Sequence, residues 1–231
     1  MKVLVIVPAY NEEECIKKVV ESIYSKNGNV DVVVINDGSS DSTSREVKKT
    51  KATLIELPKN LGIGGAVQTG YLYAYEHNYD IAIQIDGDGQ HDPKYIKDMV
   101  ELIEKNEADM VIGSRFIKDT GYHQSFLRGL GNKILSFEIK MIGHKKIYDT
   151  TSGYRAVNRD IIEYFSKNYP YDYPEPDTNL RLVLKGKNIK EIPVKMYKRT
   201  TGKSFVSPYR SAQYMTKVSL ALLISKLRKE N

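Results

Sequence analysis

Ile81-Ala82-Ile83-Gln84-Ile85-Asp86-Gly87-Asp88-Gly89-Gln90 passes from an apolar, β-branched run into two aspartates separated by one glycine. The run reads as a strand covered on both faces, as strands of parallel sheets are. Residues two apart on an extended chain point the same way, so Asp86 and Asp88 address one point. Two carboxylates that close resist joint ionisation. A hard divalent cation relieves the conflict, and Mg²⁺ is typically held by one or two carboxylates together with substrate phosphates. The bland alternative is a turn rich in Asp and Gly. Asp37 on a neighbouring strand and Asp92 close by favour the cation.

The same texture repeats on either side. β-Branched runs at 3–7, 30–35, 53–57, 79–85 and 110–112 alternate with segments of helical period at 12–26, 42–49, 64–77 and 93–105. Such alternation predicts βαβ units and a mainly parallel sheet flanked by helices. Asp92-Pro93 suits a helix start, with Asp at the N-cap and Pro at the first helical position. Farther on, helices are expected near 126–142 and 177–187, and strands near 153–157 and 189–197. Pro193 marks the last strand as an edge or bulged strand. A final helix is expected over about 209–229. The economical organisation is one α/β domain over 1–206 followed by a C-terminal amphipathic helix within 207–231.

In open α/β sheets, ligands bind at the carboxyl ends of the strands. The four expected strand ends carry Pro8-Ala9-Tyr10-Asn11-Glu12, Asn36-Asp37-Gly38-Ser39-Ser40-Asp41, Asn60-Leu61-Gly62-Ile63-Gly64-Gly65 and Asp86-Gly87-Asp88-Gly89-Gln90. One polar turn is ordinary loop chemistry; four along one edge describe a ligand cleft. The glycines at 62, 64 and 65 open a helix, whose N-terminus attracts anions. They do not form a dinucleotide fingerprint, because its third glycine falls on Val67 and the first strand lacks the motif.

Composition narrows the classes. The 231 residues are 41% hydrophobic and 28% charged, ordinary for a globular protein with a sizeable core. A net charge of +6 favours phosphates or an acidic surface as partners. The basic residues form no stripe and no base-stacking motif accompanies them, which argues against nucleic acid. The one cysteine, Cys15, allows no internal disulfide, fits a reducing, cytoplasmic setting and reads as a packing residue. The apolar run at 3–7 is too short for a signal peptide, and no segment reaches the roughly 18 apolar residues of a membrane span.

The motifs around Pro8–Glu12, Asn36–Thr43 and Asp86–Gln90 resemble, in order and spacing, those of family 2 glycosyltransferases. Gly113-Ser114-Arg115, Thr151-Ser152-Gly153-Tyr154-Arg155, Tyr173-Pro174-Glu175-Pro176 and Gly202-Lys203-Ser204 look like its dolichyl- and polyprenyl-phosphate sugar synthase branch. The likeness spans nearly the whole chain. It implies a GT-A fold, an inverting reaction and Mg²⁺ or Mn²⁺. It implies nucleotide-sugar binding by Pro8, Tyr10, Glu12, Asp37, Gly62, Gly64, Asp86 and Gly87, with Asp37 at the base and Asp86 near the ribose and sugar. Asp88 becomes the principal metal ligand, with Gln90 close by. Two departures stand out: many relatives carry C-terminal membrane helices that this sequence lacks, and their acidic pair near the acceptor is replaced by Glu175-Pro176-Asp177.

A lipid phosphate acceptor needs cations more than a general base, because its second pKa is about 6. Arg115, Arg128 and Arg155 are the candidates for that phosphate, Arg199 and Lys203 for charge-assisted contacts to the departing diphosphate, and Glu175 contacts the sugar hydroxyls or is the base if the acceptor is an alcohol. The donor reads as a UDP-sugar more than a GDP-sugar. The final helix carries Val218, Leu220, Leu222, Leu223, Ile224 and Leu227 beside Lys217, Lys226, Arg228 and Lys229. Such a basic amphipathic stretch suits the cytoplasmic face of a membrane or a small membrane protein, and equally packing on its own domain or in a homo-oligomer. The rival readings are transfer to a saccharide hydroxyl in cell-surface polysaccharide synthesis, and a nucleotide-sugar sensor without turnover.

Overall fold

The computed structural model describes residues 1–118, 126–197 and 217–220, with the side chains of 126–128 left aside. Its centre is a seven-stranded sheet: β1 (Val3–Ala9), β2 (Asp31–Asn36), β3 (Thr53–Glu56), β4 (Ile81–Gln84), β5 (Met110–Ser114), β6 (Arg155–Asn158) and β7 (Ile189–Pro193). The spatial order is β3-β2-β1-β4-β6-β5-β7, and every pairing is parallel except the two made by β6. Among the described residues it is accompanied by the helices α1 (Ile16–Lys26), α2 (Thr43–Val47), α3 (Gly62–Glu76), α4 (Ile96–Glu104), α5 (Phe126–Gly143), α6 (Arg159–Asn168) and α7 (Pro174–Leu184).

Strand alternation divides the core in two. Leu4 and Ile6 of β1 face a cluster that includes Val67 and Tyr71 of α3, Leu135 and Ile139 of α5 and Phe165 of α6. Val3, Val5 and Val7 face the other way, onto Ile16, Val20 and Ile23 of α1 and Met99 and Ile103 of α4. All seven residues of β1 are buried, the pattern of a central strand covered on both faces. β3 lies at the edge and has no buried residue.

The reversal of β6 positions the site. β1, β2, β3 and β4 end on the same edge of the sheet. Because β6 runs antiparallel beside β4, with Gln84 opposite Arg155, its beginning arrives where β4 ends. Ser152 and Gly153 therefore meet the aspartate turn.

Several expectations hold. Asp92 caps a 3-10 turn at Pro93–Tyr95 through the Lys94 N–H, and α4 continues from it. Among the described strands β7 pairs only with β5, so Pro193 closes an edge strand there. Cys15 is buried at the start of α1. Sequence reasoning missed α6 altogether. Its signals were present: the Asn158 side chain accepts from the Ile161 N–H, Asp160 sits in the first turn, and Ile161, Ile162 and Phe165 recur at helical spacing. α7 begins three residues earlier than expected because Pro174 starts it. The expected helix 209–229 lies outside the described residues except for the helical residues 217–220, where Val218 is buried against the first core cluster.

Asp92 also ties α1 and the segment after β7 to this cap. Burial opposes its charge, but Lys26 Nζ at 2.8 Å, the Lys94 N–H and the Tyr197 hydroxyl at 2.9 Å outweigh that and hold its pKa down at about 2. A depressed carboxylate contributes stability that is complete above its ordinary pKa of about 4 and lost as pH falls toward about 2. Urea midpoints are expected to decline across that window, and Asp92→Asn is expected to flatten the decline.

Candidate active site

Each strand end is shaped by a local device. After β1, Asn11 takes a left-handed backbone (φ 55°) and its side-chain oxygen accepts from the Ser40 N–H at 2.9 Å. The Glu12 N–H donates to Thr43 Oγ1 at 2.8 Å, so the turns after β1 and β2 are stitched together. After β2, the Asp37 N–H donates to the Ala9 carbonyl at 2.9 Å, and Asp37 Oδ1 accepts from the Leu61 N–H at 2.6 Å. Asp37, only 3% exposed, thus joins the ends of β1 and β2 to the start of α3.

These turns surround a cavity of about 360 Å³. Pro8, Tyr10 and Glu12 line it from β1, Asp37 from β2, Gly62 and Ile63 from the N-terminus of α3, and Asp86, Gly87 and Asp88 from β4. Gly64 does not line it. A Cβ there would run into the backbone carbonyls of Pro170 and Tyr171, so Gly64 lets α3 pack against the segment leading to α7.

The aspartate turn is held from several sides. Gly153 brings bare backbone against Asp86; a Cβ at Gly153 would lie 3.2 Å from both carboxylate oxygens. The Gln84 amide lies 3.4 Å from Asp86 Oδ1. The Gln90 N–H donates to Asp88 Oδ1 at 3.0 Å, and the Gln90 side-chain amide donates to the Tyr197 carbonyl at 3.2 Å. His91, given no role by its sequence, accepts the Asp86 N–H at Nδ1 over 3.1 Å. With Nδ1 accepting, Nε2 is the ring nitrogen left to donate, and it lies 3.8 Å from Asp86 Oδ2. His91 also stacks on Tyr154, whose hydroxyl donates to the Asp92 carbonyl at 3.1 Å. Histidine one residue beyond the motif was the only hint, and a linear sequence does not say which way a ring turns.

Glu175 stands at the first turn of α7, two residues beyond Tyr173, which adopts a left-handed φ of 51° immediately before proline. That conformation is disfavoured there, so the entry to this helix stores strain. Burial raises the Glu175 pKa; Arg155 opposes the rise and Asp86 adds to it. A carboxyl raised in this way makes a stronger base when ionised.

Two expected acceptor cations are placed inside the structure. Arg155 is 1% exposed; its guanidinium donates to the carbonyls of Ser152 and Glu175 and to Thr178 Oγ1, pinning β6 to the start of α7. Arg115 forms a fork with the buried Asp149, at 2.8 Å from Nε and 2.7 Å from an Nη, and a further bond to Thr151. Burial and internal pairing explain why neither is presented to the cleft as a bare charge. Arg128 belongs to α5 but its side chain is not described, and Arg199 and Lys203 lie outside the described residues.

A model of "Glycosyl transferase family 2" matches residues 4–165 of this chain. The chain belongs to glycosyltransferase family 2. It is 30% identical over 213 residues to the UDP-N-acetylglucosamine–dolichyl-phosphate N-acetylglucosaminyltransferase of Methanococcus voltae, with 84% of each chain covered. It is 26% identical over 231 residues to the polyprenol monophosphomannose synthase of Mycolicibacterium smegmatis, covering 94% of this chain and 86% of that one. In three dimensions it superposes on glucosyl-3-phosphoglycerate synthase from Mycobacterium tuberculosis with a TM-score of 0.71 at 20% identity, over all of this chain and 80% of the other. That identity establishes the fold alone. The family 2 glycosyltransferase thus has the expected GT-A-type α/β architecture.

Proposed function

We propose that this glycosyltransferase moves a sugar, with inversion, from a nucleoside diphosphate sugar to a polyprenyl or dolichyl phosphate, with UDP favoured over GDP. The observation that carries the reading is the convergence of Asp37, Asp86, Asp88 and the N-terminus of α3 on one cavity of about 360 Å³, within the size range of small-ligand pockets. Two relatives whose names specify dolichyl phosphate and polyprenol support the acceptor. The solved neighbour, crystallised with Mn²⁺ and UDP-glucose, supports the donor and the metal.

The donor set fits such an ion. Among the described residues no group of three or more acidic, histidine or cysteine side chains forms a closed cage. Asp86 and Asp88 alone suit a cation completed by a diphosphate. Asp88, oriented by Gln90, would be the main ligand, with Asp86 beside it. A bound divalent ion would supply Lewis-acid stabilisation of the departing diphosphate.

The chain's own residues do the rest. Asp37 and the turn after β1 hold the nucleoside, and the amides at the start of α3 offer donors to an anion. A phosphate oxygen of the acceptor attacks the anomeric carbon; the bond from that carbon to the diphosphate breaks, and the nucleoside diphosphate leaves with the electron pair. Arg128 remains a proposed contact for the acceptor phosphate, and Arg199 and Lys203 are the proposed contacts for the departing diphosphate. Residues 207–231 are proposed to meet the cytoplasmic face of the membrane. Transfer to a saccharide hydroxyl has one observation in its favour, the raised pKa of Glu175 near Asp86.

Release of nucleoside diphosphate, measured across UDP- and GDP-sugars with Mg²⁺ or Mn²⁺ and with or without undecaprenyl phosphate, tests the reading. Release that requires the lipid phosphate is expected. Release stimulated instead by a saccharide moves the acceptor and gives Glu175 the role of base. Asp37→Asn keeps an oxygen for the Leu61 N–H while removing the charge. It is expected to raise the donor KM about ten- to hundredfold with little change in kcat; a loss confined to kcat would contradict the nucleoside-binding role.

A further inference from the structure

Two buried polar side chains lie behind Asp86. Gln84 on β4 and Tyr71 on α3 are both 0% exposed. Among the described residues neither Gln84 Oε1 nor the Tyr71 hydroxyl has a hydrogen-bond partner. Strand alternation turns Gln84 to the face that α3 covers, the face of Ala82. Arg155 stands directly opposite on β6, so its side chain leaves the sheet on that same face. The Gln84 amide meets Asp86 Oδ1, which leaves the carbonyl oxygen as the end without a partner. Tyr71 is fixed by its ring, which lies edge-on to Phe165 at 5.1 Å and beside Tyr169 at 5.5 Å. A phenylalanine would make the same ring contacts, and a buried hydroxyl with no partner is costly.

The surroundings of Glu175 give the hydroxyl a purpose. The Glu175 backbone is pinned, because Arg155 donates to its carbonyl at 3.1 Å and to Thr178 Oγ1 at 2.6 Å. Its carboxyl is held less firmly: among the described residues the hydrogen bond acting on it comes from its own N–H. Burial raises the Tyr71 pKa, the Arg155 charge opposes the rise and the Glu175 charge adds to it, so both groups lie within electrostatic reach of the hydroxyl. The hydroxyl therefore stays a neutral donor.

We infer that Tyr71 is a positioning residue for Glu175: its hydroxyl and Gln84 Oε1 hold one ordered water, and that water bonds the Glu175 carboxyl. The donor and acceptor count closes. The water accepts from the Tyr71 hydroxyl and donates to Gln84 Oε1 and to a carboxylate oxygen, as many bonds as buried waters usually make. A cation would satisfy the same oxygens, but the buried guanidinium of Arg155 repels one there. Gln84 then joins two acids of the cleft, Asp86 through its amide and Glu175 through its carbonyl and the water.

The inference rests on the reading that Glu175 contacts hydroxyls of the donor sugar. Tyr71→Phe removes the hydroxyl and keeps the ring. It is expected to lower kcat/KM for the nucleotide sugar about tenfold, while the Kd of the nucleoside diphosphate with Mn²⁺, which lacks the sugar, changes less than about twofold. The thermal midpoint is expected to fall by about 2–4 °C, as for a bonded hydroxyl; a midpoint at or above that of the wild type would overturn the inference. In a Glu175→Ala background the same substitution is expected to cost less than about twofold in kcat/KM. Equal losses in both backgrounds would reduce Tyr71 to packing and overturn the inference, as would weakened nucleoside diphosphate binding. A crystal structure of the wild type tests the water apart from the role of Glu175. Density within hydrogen-bond reach of the Tyr71 hydroxyl, Gln84 Oε1 and the Glu175 carboxyl is expected, and its absence would overturn the inference. Wild-type turnover in Glu175→Ala, with that water present, would refute the sugar-contact reading and uphold the water site.

Discussion

Asp88→Asn is expected to reduce sugar transfer by about a thousandfold while leaving the thermal midpoint close to that of the wild type. Asp88 is part-exposed at the cavity wall and outside the two core clusters. Asparagine retains an oxygen for the Gln90 N–H, so the turn keeps its internal bond. What changes is the charge offered to a divalent cation. The corresponding binding measurement is a Mn²⁺ titration with nucleoside diphosphate present, in which the variant's affinity for the ion should fall in parallel with turnover. Near-normal activity in Asp88→Asn would remove the metal assignment. Lost activity with unchanged ion affinity would move the role of Asp88 to the sugar.

Asp149→Ala is expected to be the most destabilising single change at the site's margin, at about 3–5 kcal/mol. Asp149 is fully buried, and it accepts from the Arg115 N–H and from two guanidinium nitrogens. Alanine would strip this carboxylate from a guanidinium that is only 15% exposed, while the neutral bond to Thr151 stays. The cost comes from taking the forked carboxylate away from a mostly buried guanidinium. Arg115→Leu combined with Asp149→Leu should therefore recover part of the stability lost in Asp149→Ala. Urea unfolding of the wild type and the two variants measures this. A loss below about 1 kcal/mol would show the pair to behave like a solvated surface bridge. The change should also disturb catalysis, because the segment from Asp149 runs on to Ser152, bonded to the Gly113 carbonyl, and to Gly153, which packs against Asp86.

The local pattern of residues determined a good deal about this protein. Strands and helices of the first half follow from β-branched runs and helical periodicity, which depend on neighbours a few residues away. The cleft was legible for the same reason. In a parallel sheet every strand end falls on one edge, so four polar turns that each follow an apolar run must meet. Pro8, Tyr10, Glu12, Asp37, Gly62 and the aspartates do line one cavity. α6 is also written locally, in the Asn158 cap and the spacing of Ile161, Ile162 and Phe165, and needs no long-range information to be found.

Tertiary structure alone decided the rest. The direction of β6 depends on how a chain returns after a long excursion, and that reversal is what sets Gly153 against Asp86. The charge state of a cleft depends on partners distant in sequence. Arg115 and Arg155 look like free cations until Asp149, Thr178 and the carbonyls of Ser152 and Glu175 close around them. His91 acquires its place only when the Asp86 N–H and the Tyr154 ring fix its orientation. The bare face of α5 is the converse case: its apolar residues recur at helical spacing on two sides, and only packing shows that Leu135 and Ile139 enter the core while Ile134, Phe137 and Met141 stay outside. Periodicity says that a residue has a side to face; which side is covered depends on long-range contacts that no local pattern encodes.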